Sequence, residues 1–409
     1  MTGPAAKLTV DAAPWMREAA TRAVVAALTA TGRPVRFVGG CVRDALAGRS
    51  VSDVDIATPE PPTRVLELLA AAKIKAVPTG LEHGTVTAII DGRPFEITTL
   101  RRDVETDGRR AVVAFTDSWT EDAARRDFTI NALSADPDGT LHDPFGGAAD
   151  LAAGRVRFVG EAEQRIREDV LRILRFFRFH AHYGKGDPDA GGFAACRKLA
   201  HLLPGLSGER IAAELRRLLA ASDPAATLER MRAADILAPI LPEIGDLARL
   251  RGLQGLDEPA ARDPLVRLAA VLPDDAAAAR AVAERLRLSN DERAWLELLA
   301  APPAQLWPAR GPAALRRALH RLGLDLVRDL GLLAMARGDA ELGRPAVEAA
   351  AEWTPVALPI RGQDALDLGV PAGPRVGQLI AAVDSWWEEN DYRPDRAACL
   401  EKLKALAAR

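Results

Sequence analysis

Up to about residue 150 the hydrophobic positions fall in short β-type runs: Val35–Val38, Val51–Ile56, Thr85–Ile90 and Phe95–Leu100. Turn residues and helical stretches separate them, which predicts an α/β or α+β unit. Asp91-Gly92 joins Thr85–Ile90 to Arg93–Leu100, and that dipeptide suits a tight turn, so the segment predicts a β-hairpin. Beyond about residue 150 the strand pattern fades. Ala, Leu, Arg and Glu recur there with helical periodicity, broken at Pro204-Gly205, Pro239, Pro242, Pro302-Pro303 and Pro371–Pro374. This predicts a helical array without a fixed-period repeat. Residues 101–118 are polar and interrupted by Asp-Gly. They read as a loop, locally basic through Arg101, Arg102, Arg109 and Arg110.

A chain of 409 residues is too long for one ordinary core. With 48% hydrophobic and 27% charged residues it has the balance of a globular protein, and sparse aromatics predict mainly aliphatic cores. The net charge of −3 announces no polyanion partner, although local basic patches rather than totals bind phosphate backbones. Cys41, Cys196 and Cys399 lack metal-ligand spacing and read as free thiols in a reducing compartment. Charged residues interrupt the N-terminal apolar stretch, and no apolar run approaches the roughly 18 residues of a membrane span. A cytoplasmic location is expected; oligomeric state is not readable.

Two segments carry chemistry. In VRFVGGCVRDALAGRSVSDVDIAT (Val35–Thr58) a strand runs into Gly39-Gly40 and then a helix, whose free N–H groups and first-turn Arg43 suit an anion. Asp53 and Asp55 follow, two apart in a β-type run, so their carboxylates share one face. Such like charges generally need a cation, and Mg²⁺ normally shares one or two carboxylates with substrate phosphates. After a Gly-Gly turn, the pair points to phosphoryl or nucleotidyl transfer with two metals. In the second segment, QRIREDVLRILRFFRF, Ile166, Val170, Ile173, Leu174 and Phe177 predict one continuous helix with a buried stripe. Asp169, Arg172, Arg175 and Arg178 lie on its other side. Three arginines and one aligned acid are unbalanced for a solvated face and suggest an anionic ligand.

The pattern GG-x-V-R-D-x-L-x-G-R followed by D-x-D-I-A-T closely resembles the signature of the class II tRNA nucleotidyltransferases, the CCA-adding enzymes and their bacterial poly(A) polymerase relatives. The RRDFTIN block (Arg125–Asn131), the Glu168-Asp169…Arg172…Arg175…Arg178 block and LSGERIAAEL (Leu206–Leu215) are similar to further motifs of that family. The resemblance is strong over roughly residues 33–216 and diffuse beyond.

The resemblance implies an α+β fold: a small polymerase-β-like mixed-sheet head (1–147), then an all-helical neck (148–225) and a helical body and tail (226–409) that binds RNA. It implies that Asp53 and Asp55 bind Mg²⁺, that Gly40, Arg43 and Arg126 contact the incoming nucleotide, and that Asp169 with Arg172 selects it. Arg175 and Arg178 would lie toward the triphosphate. Glu96, in FEITTL, is the best candidate for a third catalytic carboxylate, with a salt bridge to an arginine as its alternative role. A carboxylate accepts and a guanidinium donates, so Asp169 and Arg172 together complement the amine-beside-acceptor edge of cytosine and adenine, not guanine or uracil. The implied activity is untemplated addition of C, C and A to tRNA from CTP and ATP. Poly(A) addition, partial CC or A addition, and a catalytically inactive RNA-binding protein are the alternatives. The only His-Asp pair, His142-Asp143, falls in the head–neck turn, so no phosphohydrolase domain is expected.

Overall fold

The computed structural model describes residues 7–9, 13–107 and 110–408, the side chains of 103–113 excepted; Arg109 falls outside this range. The chain divides into two compact units, Met1–Pro242 and Glu243–Arg409, so the expected head and neck lie together in the first. Among the described residues no helix is long and apolar enough to cross a membrane.

The first unit is built on a seven-stranded sheet of order β3-β4-β5-β2-β1-β8-β9. Its strands are β1 (Arg36–Val38), β2 (Val54–Thr58), β3 (Lys75–Gly80), β4 (Thr85–Ile90), β5 (Arg93–Thr99), β8 (Ser134–Ala135) and β9 (Leu141–His142). β2 and β5 pair in parallel; the other pairings are antiparallel. The predicted hairpin is β4–β5. Ile90 pairs with Arg93, and Asp91 and Gly92 take φ values of 51° and 77°, as a tight turn with two left-handed positions requires. Helices α1 (Ala19–Leu28), α2 (Gly40–Leu46) and α3 (Pro62–Ala71) complete the head. Val24, Leu28, Val65 and Leu69 of α1 and α3 bury against Phe37, Ile56, Val86, Phe95 and Ile97 of the sheet.

Residues 101–118 are largely not a loop. β6 (Arg101–Asp107) and β7 (Arg110–Phe115) form a two-stranded ribbon whose backbone groups satisfy one another, and β7 carries the short apolar run Ala111–Phe115.

After α4 (Trp119–Ala124) and α5 (Gly147–Ala153) the unit continues as α6 (Ala162–Glu168), α7 (Arg172–Tyr183), α8 (Ala190–Leu199), α9 (Gly208–Leu219) and α10 (Pro224–Ala233). The mixed-sheet head with a helical remainder agrees with the expected α+β class. The few aromatics are not scattered. Phe128, Phe158 and Phe176 cluster where the head meets α7, with Phe158 and Phe176 stacked at 5.6 Å between ring centres. Phe179 adds an edge contact to Phe128 at 5.3 Å. Aromatic pairs of this geometry add about 0.5–1.5 kcal/mol beyond their buried area.

The expected continuous helix is two helices. Asp169 ends α6 in an extended conformation (φ −152°, ψ 106°), and α7 restarts at Arg172. The Asp169 carboxylate accepts from the Leu171 N–H at 3.1 Å, satisfying a donor that the restarted helix would leave open.

The second unit is helical from Ala248–Gln254 to Arg396–Ala407. Two of its helices, Leu324–Ala336 and Ala340–Glu352, pack backbone to backbone: a Cβ on Gly343 would lie 2.4 Å from the Gly331 carbonyl.

Candidate active site

Gly39 leaves β1 with φ +67°, a conformation L side chains rarely adopt, and a Cβ there would stand 2.6 Å from Arg126 Nη1. The turn thus brings the start of α2 under an arginine. On α2, Arg43 donates from Nε and Nη2 to Asp44 at 3.0 Å and from Nη1 to Asn131 Oδ1 at 2.6 Å. Tyr183 of α7 donates to Asp44 at 2.6 Å, so the neck closes this network.

β2 begins at Val54, later than expected, so Asp53 sits just before the strand and Asp55 within it. Asp53 is exposed and accepts from Ser52 Oγ at 2.9 Å. Asp55 is half-buried and lies directly beside Glu96 in the parallel β2–β5 register. Burial pushes the Asp55 carboxyl up to about 6, with the Glu96 charge adding to it, Arg126 opposing it, Asp53 adding and Arg43 opposing. Among the described residues no three His, Cys, Asp or Glu side chains gather closely enough to hold a metal by themselves.

Asp122 of α4 is buried and organises the arginines. Its Oδ1 accepts from Arg125 Nε at 2.8 Å and from the Arg101 backbone N–H at 3.2 Å, and its Oδ2 lies 3.6 Å from Arg126 Nη2. Arg126 also donates to the Asn131 carbonyl at 3.3 Å. Asp127 is buried between Asn131, which donates at 2.9 Å, and Arg175, whose Nε donates at 2.6 Å. Burial alone would raise the Asp127 carboxyl, but the Arg175 charge and the Asn131 bond hold it below the ordinary range.

Asp169 is not paired with Arg172. Both its carboxylate oxygens lie 2.9 Å from Arg210 Nη2 of α9. Arg172 instead donates from Nη1 to Glu168 at 2.8 Å and to the Arg165 carbonyl at 2.9 Å. Arg178 donates from Nε to buried Glu214 at 2.5 Å, and Arg175 Nη1 lies 3.9 Å from the same carboxylate.

A cavity of about 350 Å³ gathers Gly39, Gly40, Arg43, Arg126, Asp127, Asn131, Asp169, Arg172, Arg175 and Phe179. Most of the expected nucleotide residues therefore share one concave surface. Asp53, Asp55, Glu96 and Arg178 do not line it, although Arg43 and Arg126 act electrostatically on Asp55. A larger cavity of about 950 Å³, beside α6 and α8, holds none of these groups and mixes acids with bases, including the Lys198–Glu163 pair at 2.7 Å. The smaller one is the candidate site, because it gathers the arginines and Asp169. Sequence reasoning missed Arg165 and Tyr183, whose contacts reach 40 and 139 residues along the chain, and Asp122, which holds its near neighbours Arg125 and Arg126 and the Arg101 backbone.

Comparisons with known proteins identify the family and the fold. Residues 35–157 match the Poly A polymerase head domain, and residues 191–247 match a family described as a probable RNA and SrmB-binding site of polymerase A. The mitochondrial CCA tRNA nucleotidyltransferase 1 of Mus musculus is 34% identical over 383 residues, covering 90% of this chain and 86% of that protein. The CCA-adding enzyme of Geobacillus stearothermophilus is 38% identical over 238 residues, 58% of this chain and 55% of that one. The crystal structure of the Bacillus stearothermophilus CCA-adding enzyme in complex with CTP superposes with a TM-score of 0.72 at 28% identity, covering 90% of this chain and 92% of its own. Coverage of nearly the whole chain by a relative at this identity, on the fold its head and helices build, places the protein in the class II CCA tRNA nucleotidyltransferase family.

Proposed function

We propose that this chain adds C, C and A to the 3′ end of tRNA without a nucleic-acid template, using CTP and ATP and releasing pyrophosphate. The observation that carries this reading is the single cavity uniting the Gly39-Gly40 turn and Arg43, Arg126 and Arg175 with Asp169 and Arg172. Guanidinium groups bind phosphate oxygens in pairs and keep their charge, which suits a triphosphate. Arg43, Arg126 and Arg175 neutralise it. Arg178 supports that row through Glu214, which it shares with Arg175. Gly40, without a side chain, lets the backbone approach the phosphates. Asp169 accepts from the amine of cytosine or adenine while Arg172 donates to the neighbouring ring nitrogen. The mispaired edges of guanine and uracil cost about 1–3 kcal/mol per unsatisfied group.

The residues present fit Mg²⁺. Asp53 and Asp55 offer hard oxygen donors, and Asp55 faces like charges that a cation would offset. Two carboxylates suffice, because Mg²⁺ keeps waters and substrate phosphates as its other ligands. Asp53 and Asp55 would hold the ions, and Glu96, beside Asp55 in the β2–β5 register, would serve as the third carboxylate. Bound there, Mg²⁺ would activate the RNA 3′-hydroxyl and stabilise the leaving pyrophosphate. In division of labour, residues 1–147 carry catalysis, 148–225 nucleotide selection and 226–409 RNA binding. The cytoplasm, where buried thiols such as Cys41 stay reduced, is the proposed location.

The test is tRNA lacking its 3′ end, incubated with CTP alone, ATP alone and both. Ordered C, C, A incorporation that then stops is expected. The matches to polymerase A families favour poly(A) addition as the second reading, and open-ended A addition to generic RNA would select it.

A further inference from the structure

The arginine that joins the triphosphate clamp to the base-reading pair is Arg165, on α6. Its side chain is buried, and its guanidinium reaches two functional segments at once. Nη2 donates to the backbone carbonyl of Arg125 and, at 3.0 Å, to that of Arg126. Nη1 donates to Glu168 Oε2. That same oxygen accepts from Arg172 Nη1 at 2.8 Å, and Arg172 also donates to Arg165's own carbonyl at 2.9 Å. The backbone that carries Arg126 and the side chain of Arg172 are therefore tied to one buried cation. The tie sits immediately before the break at Asp169, where no continuous helix fixes the base-reading residues relative to the head.

We propose that Arg165 is a positioning residue that sets the separation between Arg126 and the Asp169/Arg172 pair, and through that separation decides which bases the cavity accepts. The inference rests on the CCA-adding reading above. Arg165 does not line the cavity, so it acts only through the residues it holds. Its planar fork spans a carboxylate and two carbonyls together. A lysine ammonium, a point charge on a flexible stem, holds fewer of them in fixed directions. Without the fork, Arg172 keeps Glu168 and its own long 3.5 Å bond to the Arg125 carbonyl, but loses the shared cation that fixes its distance from Arg126. A base would then sit at variable depth against Asp169, and rejection of uracil would weaken first, because uracil is a pyrimidine of cytosine's size.

The experiment measures kcat/KM for CTP, ATP, UTP and GTP on tRNA lacking its 3′ end, for the full chain and for R165M and R165K, with thermal unfolding recorded for each. R165M is expected to raise the UTP-to-CTP ratio of kcat/KM at least tenfold, and the KM for CTP and ATP more than it lowers kcat. R165K is expected to fall between R165M and the unchanged chain, at threefold or more. A purely structural role lowers all four nucleotides by a common factor and leaves the ratio fixed; that result overturns the proposal. Should R165M lack a cooperative unfolding transition, R165K decides alone, and an unchanged ratio in it is equally fatal. If the unsubstituted chain incorporates neither CTP nor ATP, the functional reading itself fails, a result distinct from either of these.

Discussion

Both carboxylate oxygens of Asp169 lie 2.9 Å from Nη2 of Arg210, so the proposed base-reading carboxylate is held by an arginine from another helix. An ionised carboxylate has about four acceptor positions, which leaves room for a base amine while Arg210 fixes its direction. R210A frees Asp169 to rotate at the helix break. Charge-assisted hydrogen bonds of this kind contribute about 1.5–3 kcal/mol, which corresponds to about a 10- to 100-fold rise in KM for CTP and ATP. kcat should change less, since the catalytic carboxylates are untouched. Steady-state kinetics on tRNA lacking its 3′ end would check this, and an unaltered KM would remove Arg210 from nucleotide selection.

How much of this was legible in the sequence depends on the range of the interaction. The β4–β5 hairpin can be read from Asp91-Gly92, because the turn's two left-handed residues are neighbours. The Gly39 turn is legible for the same reason. The break at Asp169 is not, because the hydrophobic spacing runs straight through it: Ile166 before it and Ile173, Leu174 and Phe177 after it are all buried in helical register. Where α6 stops, Asp169 is gripped by Arg210, 41 residues away in the chain, a contact the local spacing does not show. The β6–β7 ribbon is hidden for a different reason. Its order lies in backbone pairing, while the charged run Arg101–Arg110 around Asp107-Gly108 reads as a loop and outweighs the short apolar run Ala111–Phe115. Likewise, the motif predicts that Arg175 and Arg178 share a helix face, but only the fold shows that Asp127 and Glu214 hold them.

Asp55 is expected to trade stability for activity. Burial and the adjoining Glu96 charge push its carboxyl up to about 6 in the metal-free protein, against an unfolded value near 3.8. The folded state therefore binds more protons between those values, and stability falls as pH rises from about 4 to about 6, then stays at its lower level. D55N removes this charge. Above pH 6 and without Mg²⁺, it should stabilise the fold by on the order of 1–2 kcal/mol, after discounting the shift for partial solvent screening. It should also lower nucleotide addition by about 100- to 1,000-fold, as expected when the cation that Asp55 would hold at the reacting phosphate is lost. Thermal unfolding in EDTA at pH 5 and pH 7.5, with single-turnover incorporation, reads both effects. A destabilised D55N at pH 7.5 would contradict the electrostatic account.

The same proton competes with the metal. Below pH 6 Asp55 is increasingly protonated in the metal-free protein, so at subsaturating Mg²⁺ activity should fall about tenfold per pH unit, and raised Mg²⁺ should restore it by mass action. E96Q removes the neighbouring charge that helps to raise Asp55, which should shift this onset to lower pH. If Glu96 also serves as the third carboxylate, E96Q will need more Mg²⁺ for half-maximal activity even at pH 8. Mg²⁺ titrations at pH 5.5 and pH 8 separate the two roles. A profile at pH 5.5 that ignores Mg²⁺ would count against metal binding at Asp55.

Glu214 offers the sharpest test of the neck. It is buried and accepts from Arg178 at 2.5 Å, with Arg217 at 3.4 Å and Arg175 at 3.9 Å. Removing one partner of a buried ion pair costs about 3–5 kcal/mol because the other charge is left uncompensated, whereas replacing both by apolar residues of similar volume is often nearly neutral. E214A should therefore destabilise the protein by about 3 kcal/mol, and the double variant R178M/E214L should recover most of that loss. The recovery separates structure from function. With stability restored, the double variant should still bind CTP and ATP a few-fold more weakly, because Arg175 loses the carboxylate that it shares with Arg178. Denaturant unfolding and KM measured on the same preparations would decide: recovered stability with an unchanged KM would leave Arg178 with a role in packing α7 on α9 and none in holding the triphosphate.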